Sequence, residues 1–322
     1  MQKPGITLVT PALAAANNGN WQTARRWARF LGADYRVHVV PAWSPSMPDT
    51  GLMIALHARR SADSIAAWRA AHPRRALAVV LTGTDLYRDI DIDAAAQRSL
   101  QLADRLVVLN EFGAARLAPA LRAKTVVCLQ SAPPRRPQAK TGRHLRALMV
   151  GHLREEKSPE TYFEAARHLA RRSDIVLDHI GAGLDPALGR QARALMRQCP
   201  NYRWLGALAH GATRARIAAA HVLVHASRME GGAHVVIEAL SSGTPVLASR
   251  IDGNLGLLGR GYRGLFDWGD AGALVTLLEQ ARDEPAMLGA LTAQCAARAP
   301  LFSPQRERAT VLELVASLKA RT

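Results

Sequence analysis

Glu230 and Glu238 bracket the run of residues best suited to chemistry, Ser227-Arg-Met-Glu230-Gly-Gly-Ala-His234-Val-Val-Ile-Glu238-Ala-Leu-Ser-Ser-Gly243-Thr-Pro245-Val. It follows a predicted strand and passes into a predicted helix. Gly231, Gly232 and Ala233 therefore present free amide N–H groups at a helix N-terminus, an environment that fits a diphosphate. Glu230 precedes those amides and Glu238 lies about two turns along, so two carboxylates flank one anion site and can accept hydrogen bonds from sugar hydroxyls. The plain alternative is a turn with two solvated glutamates. A second run, Val150-Gly151-His-Leu-Arg154-Glu-Glu-Lys157-Ser-Pro159, leaves the carboxyl end of another predicted strand. Arg154 offers a bidentate fork and Lys157 a point charge, together a clamp for phosphate oxygens. Its alternative is a pair of exposed cations ahead of a helix that Pro159 begins.

The first half carries a different set. Asn17, Asn18, Gly19 and Asn20 form a loop entering a helix, able to aim amides and carboxamides at an anion, with Thr23 and Arg26 following within one to two turns. His57, Arg59 and Arg60 stand next to a predicted strand end, and Thr84, Asp85 and Tyr87 next to another. Such a group suits a small phosphate-like acceptor. The local reading makes Asn and Gly ordinary turn and cap residues, Trp27 a core residue and His57 a hydrogen-bonded core histidine.

The elements that must position these residues read as α/β. Short β-branched or Leu-rich runs alternate with longer amphipathic segments, the pattern of parallel sheets with helical crossovers. Strands are predicted at 6–10, 36–40, 52–56, 77–81, 106–109 and 125–128, then at 146–150, 175–180, 203–205, 222–225 and 245–248. Helices are predicted at 21–31, 61–71 and 94–102, then at 159–171, 186–198, 212–220, 234–241 and 271–282. Pro133, Pro134 and Pro137 interrupt this rhythm and mark a linker, so two halves are expected to face each other across a cleft. A last helix opens with Ser303 as N-cap and Pro304 in its first turn, presenting Leu312, Val315 and Leu318 on one face.

Composition limits the class. The 322 residues suffice for two domains, and 48% hydrophobic residues can fill their cores. The net charge of +16 is uneven, with 20 Lys and Arg against 9 Asp and Glu in residues 1–144, and 22 against 17 thereafter. Such a field favours small anionic ligands in the first half. Its 37 arginines are dispersed as singles and pairs, and no aromatic and basic residues interleave, so no nucleic-acid surface is expected. The longest apolar runs, 76–81 and 221–226, are strand-sized, and no membrane association is expected. Apolar residues 6–9 are too short for a signal peptide and are interrupted by Pro11. Cys128, Cys199 and Cys295 lack metal spacing and read as reduced core thiols of a cytoplasmic protein. With no His/Cys cluster of ligand spacing, and with cations and helix-terminal amides available for a leaving diphosphate, neither metal nor cofactor is expected.

Taken together, Glu230 with Glu238, the following Gly243-Thr-Pro245-Val, Arg154 with Lys157, and Ile180-Gly-Ala-Gly183 resemble the nucleotide-sugar half of retaining GT-B glycosyltransferases. Gly181-Ala-Gly183 alone suggests a dinucleotide fold, but Asp185-Pro186 stand where its third glycine belongs. The resemblance implies two Rossmann-like domains with parallel sheets facing a central cleft: 1–135 on the acceptor side, a linker at 136–145, a donor domain at 146–300, and a helix at 301–322 packing back on the first domain. It implies that Glu238 holds the ribose hydroxyls and Glu230 the hexose. Gly231, Gly232, Ala233 and His234 would hold the donor's sugar and phosphates, and Gly151, Arg154 and Lys157 the diphosphate. On this resemblance Arg154, Lys157 and Glu230 would be the catalytic group.

The first half resembles something narrower, the selenosugar synthases of selenoneine biosynthesis, through Thr10-Pro11, Asn17-Asn-Gly-Asn20, Thr23-Ala24, Arg26-Trp27, Leu56-His-Ala-Arg-Arg-Ser61 and Leu81-Thr-Gly-Thr-Asp-Leu-Tyr87. That resemblance implies transfer of a hexosyl group, N-acetylglucosaminyl or glucosyl, from UDP to selenophosphate. Many ordinary GT-B relatives carry His-Asp where this chain has Gly83-Thr84-Asp85, a departure that speaks against a standard sugar-hydroxyl acceptor; the alternative is an ordinary GT-B glycosyltransferase that uses one.

Overall fold

The computed structural model describes residues 3–13 and 19–320. They form two compact units: Met1–Ser131 with Glu230–Gly232 and Pro304–Thr322, and Ala132–Met229 with Ala233–Ser303.

The first unit is built on a six-stranded parallel sheet in the order β2-β1-β3-β4-β5-β6. Its strands are β1 (Gly5–Val9), β2 (Arg36–Val40), β3 (Leu52–Leu56), β4 (Ala76–Leu81), β5 (Arg105–Val108) and β6 (Thr125–Val127). Every residue of β3 and β4 is buried, as central parallel strands covered on both faces must be. Alternation sorts their side chains into two cores. Ile6, Leu8, Ile54, Ala78 and Val80 pack with Trp27 and Phe30 of the helix Gly19–Leu31 and with Val311, Leu314, Val315 and Leu318 of the helix Pro304–Lys319. Met53, Ala55, Leu77 and Val79 pack on the opposite face with Ile65 and Trp68 of the helix Ala62–Ala71. The last helix thus completes one face of this unit. Its buried stripe is set by Val311 and Leu314 besides Val315 and Leu318, while Leu312, expected in the stripe, is only half-buried.

Parallel β order 2-1-3 reverses direction between β1 and β3, and the loops after β1, β3, β4 and β5 all leave at the carboxyl ends, where α/β sheets carry ligand-binding groups. These loops hold Thr10, His57, residues 82–85 and Asn110.

The second unit repeats the plan with a parallel sheet in the order β12-β11-β10-β7-β8-β9. The strands are β7 (Leu145–Val150), β8 (Ile175–Ile180), β9 (Tyr202–Trp204), β10 (Val222–His225), β11 (Val246–Ser249) and β12 (Leu265–Phe266). Its switch lies between β7 and β10, which pair directly. The loops carrying residues 151–157 and 226–233 therefore start from adjacent strands, although about seventy residues separate them in the chain.

Several elements depart from the sequence expectation, β12 among them. Asp252–Leu258 is a helix despite Gly253 and Gly256, and Pro285–Arg298 is a helix that begins with Pro in its first turn. Residues Asp85–Asp89 coil as a wide π turn rather than a loop. Among the described residues, no helix is long and apolar enough to cross a membrane, and Cys128, Cys199 and Cys295 are buried free thiols.

Candidate functional site

In the second unit the two predicted loops meet. Arg228 N donates to Glu156 O at 2.9 Å, tying the loop after β10 to the short helical turn Glu155–Lys157 after β7. A third loop closes on them: a Cβ on Gly181 would lie 1.9 Å from Gly151 O, so only glycine lets the chain after β8 approach that carbonyl. The Gly151 carbonyl also accepts from His179 Nε2 at 3.1 Å, and His179 Nδ1 meets the Tyr202 hydroxyl at 3.1 Å. Complete burial holds the His179 imidazole down at about 4, only partly opposed by that carbonyl, so the ring is neutral at pH 7.

Glu238 lies on the helix His234–Leu240 and is 2% exposed. The helix starts at His234, so Glu238 sits one turn in, not two, and His234 is its i,i+4 neighbour. His210 Nε2 stands 2.6 Å from Glu238 Oε1, His234 Nδ1 3.4 Å and Arg214 Nε 3.7 Å. Burial pushes this carboxyl up, but hydrogen bonds from His210 and His234, then their charges, more than offset it and bring it to about 2. The result is a buried, ionised acceptor of hydrogen bonds. Arg214 is anchored by Nη2 donating to Pro133 O at 2.6 Å, while its buried Nε makes no hydrogen bond. Burial lowers its affinity for its proton, against the opposing charge of Glu238.

Arg154 is half exposed, with Nε 3.9 Å from Glu156 Oε2. The Lys157 stem passes beside Gly151, where an added Cβ would lie 3.4 Å from Lys157 Cγ. Sequence reasoning missed His210 and Arg214. They are i,i+4 on the helix His210–Ala219, but the predicted start at 212 left His210 outside it.

The first unit gathers its own cluster. Asp85 is fully buried and committed to the backbone: Oδ1 accepts from Thr82 N at 2.9 Å and Gly83 N at 2.8 Å, and Oδ2 from Ala58 N at 3.0 Å. His57 has φ 72°, a left-handed conformation that turns the chain at the end of β3. Its Nδ1 accepts from Arg60 N at 3.3 Å, which leaves Nε2 to donate to Thr84 Oγ1 at 3.1 Å. Burial, outweighing the attraction of Asp85, lowers the imidazole's affinity for a proton. Asn110 Nδ2 donates to the Tyr87 hydroxyl at 2.9 Å and to Gly231 O at 2.7 Å. Gly231 has no room for a side chain, since a Cβ would lie 2.5 Å from Thr82 O, and one on Gly232 would lie 2.9 Å from Leu109 Cβ. Ala233, the next residue, is buried and caps the helix that follows. Glu230 is half-buried.

Of the other expected acceptor groups, Arg60 is exposed, while Arg59 Nε is taken by Asp93 at 2.8 Å. Gly19 and half-buried Asn20 open the helix Gly19–Leu31, and Thr23 Oγ1 donates to Gly19 O at 2.9 Å and meets the Gln130 amide at 2.5 Å. Asn17 and Asn18 lie outside the described residues. Arg26, expected to orient an anion, is paired with a carboxylate of its own chain. Its Nε and Nη2 bind Glu307 at 2.7 and 2.9 Å, and the same buried carboxylate accepts from Trp27 Nε1 at 2.8 Å and Ser131 N at 2.8 Å. The guanidinium is a structural tie because a carboxylate from a helix distant in sequence occupies its fork. Among the described residues, no group of three or more His, Cys, Asp or Glu could hold a metal ion.

Residues 134–299, just over half of the chain, match the family model described as Glycosyl transferases group 1. No curated protein matches the chain. Among solved structures, sucrose-phosphate synthase from Thermosynechococcus elongatus is 18% identical with a TM-score of 0.80, over 99% of this chain and 100% of that one. HepE of Anabaena in complex with UDP-glucose is 14% identical with a TM-score of 0.78, over 98% of this chain and 100% of that one. A TarM mutant of S. aureus, in complex with fondaparinux, alpha-GlcNAc-glycerol and UDP, is 12% identical with a TM-score of 0.67; 82% of this chain matches and spans 55% of TarM. At these identities the likeness speaks for the fold, which is α/β of the GT-B type.

Proposed function

The chain belongs to the glycosyl transferases group 1 family, and on that footing we propose that it transfers a hexosyl group, glucosyl or N-acetylglucosaminyl, from a UDP-sugar to selenophosphate. The donor reading is supported by the ionised, buried carboxylate of Glu238 one turn into the helix His234–Leu240, and by the cationic turn of Arg154 and Lys157 leaving the neighbouring strand. Its assignments are the ribose hydroxyls to Glu238, the hexose to Glu230, sugar and phosphates to Gly231, Gly232, Ala233 and His234, and the diphosphate to Gly151, Arg154 and Lys157. Cations and backbone amides stabilise the leaving diphosphate as negative charge grows on it. HepE, one of the structural neighbours, was solved with UDP-glucose.

One observation favours selenophosphate over a hydroxyl acceptor. Asp85 accepts backbone N–H groups with both oxygens, and His57 Nδ1 faces Arg60 N, so both side chains are engaged in shaping their own loops. A hydroxyl needs a base, whereas selenophosphate arrives as an anionic nucleophile. Asn20, Thr23, His57, Arg60, Thr84 and Tyr87 are assigned to attracting and orienting it, with Asn17, Asn18, Gly19, Arg59 and Asp85 supporting them. The anomeric C–O bond to the diphosphate breaks, UDP leaves with the electron pair, and a C–Se bond forms. Water then cleaves the Se–P bond, releasing phosphate and a 1-selenosugar. Incubation with UDP-glucose or UDP-N-acetylglucosamine and selenophosphate, followed by mass spectrometry, should show a selenium-bearing sugar and UDP. Turnover only with sugar hydroxyl acceptors would replace selenophosphate and leave the donor reading intact.

A further inference from the structure

Ser158 adopts φ 46°, ψ 54°, a left-handed conformation that glycine accepts readily and serine does not. It directly follows Lys157 and ends the turn Glu155–Lys157, so its backbone sets the direction in which that turn presents its cations. Glycine would hold this shape unaided, and serine needs external support. That support comes from Trp268, just beyond β12: its Nε1 donates to Ser158 Oγ at 2.8 Å. Trp268 is 48% exposed, unusual for so large an apolar ring, so its own burial does not account for its placement. The Arg228 guanidinium lies 5.0 Å above the Trp268 ring, reaches Glu155 Oε1 at 3.3 Å, and its backbone N–H holds Glu156 O at 2.9 Å.

The geometry assigns Trp268 and Arg228 as positioning residues: a clip that keeps Ser158 left-handed and thereby holds Arg154 and Lys157 in shape for the donor diphosphate. This rests on the donor reading given above. Neither residue touches the diphosphate in this account. The clip acts through Ser158.

Trp268→Phe keeps a ring for Arg228 but removes the N–H. The variant should show faster hydrogen exchange at the amides of Lys157 and Ser158, which donate to Arg154 O and Glu155 O at 3.0 and 2.9 Å, and about five- to tenfold weaker UDP binding by calorimetry. Adding Ser158→Gly should recover most of the UDP affinity, because glycine holds the left-handed shape without the hydrogen bond. Unchanged exchange in Trp268→Phe overturns the clip. Faster exchange with wild-type UDP affinity, or a loss that Ser158→Gly leaves intact, overturns the positioning role. Lys157→Ala is the control for the premise: if it binds UDP like the wild type, the diphosphate reading fails and this assignment fails with it.

Discussion

Arg26 and Glu307 are 281 residues apart in sequence and joined by two charge-assisted hydrogen bonds, with Glu307 only 1% exposed. One carboxylate therefore fastens the helix Gly19–Leu31, the helix Pro304–Lys319 and the backbone at Ser131. Removing either charge strands the other in a low-dielectric site, which is costlier than the pair is stabilising.

Glu307→Ala should therefore destabilise the first unit by about 3–5 kcal/mol, and Arg26→Ala by a similar amount. Urea titration followed by circular dichroism measures this. A loss of activity in Arg26→Ala at unchanged stability would return Arg26 to the acceptor site.

Glu238→Ala should weaken UDP binding about ten- to a hundredfold, the scale of lost hydrogen bonds to a charged group. His210→Ala, which removes one of the carboxylate's partners, should weaken it less. Calorimetry separates the two, and unchanged affinity in Glu238→Ala would refute the ribose assignment.

Acid should destabilise the second unit through His179. Its folded pKa, about 4, lies below the ordinary 6.5, so the unfolded chain takes up the proton first. The stabilisation is complete above about 6.5 and is lost as pH falls through about 4, on the order of 3 kcal/mol in all. Urea midpoints at pH 7, 5.5 and 4.5 should fall more steeply in the wild type than in His179→Gln. Parallel curves would show that another group carries the acid response.

Asn20→Ala, His57→Ala and Arg60→Ala should raise the KM for the acceptor while leaving UDP affinity nearly unchanged, because these residues are assigned to the acceptor alone. Initial rates at varied selenophosphate, alongside UDP calorimetry, check this. Equal losses for both ligands would make the group structural.

Turnover should survive EDTA, since the proposed leaving-group stabilisation uses Arg154, Lys157 and backbone amides. Loss of turnover on chelation, restored by magnesium, would contradict it.

Most of the fold was legible because parallel strands buried on both faces read as continuous apolar runs: 52–56 coincides with β3 and 77–81 falls within β4. Asp252–Leu258 escaped notice because two glycines weaken its helical signal, and β12 because two residues are too short for any period. In the site, Glu230, Glu238, Arg154 and Lys157 stood out through local spacing. What spacing could not convey was long-range pairing. His210 reaches Glu238 across 28 residues, and Glu307 pairs with Arg26 from 281 residues away.

The helix Pro304–Lys319 gives the first unit its last layer of core, and this fixes an order of events during synthesis. The ribosome delivers all residues of the second unit, through Ser303, before that layer exists. The half translated first must therefore wait, with Trp27, Phe30 and one face of its central strands uncovered, while the half translated later can close its core ahead of it. A stalled or shortened transcript would damage the beginning of the protein first, and a chaperone acting on the nascent chain would find its apolar target there.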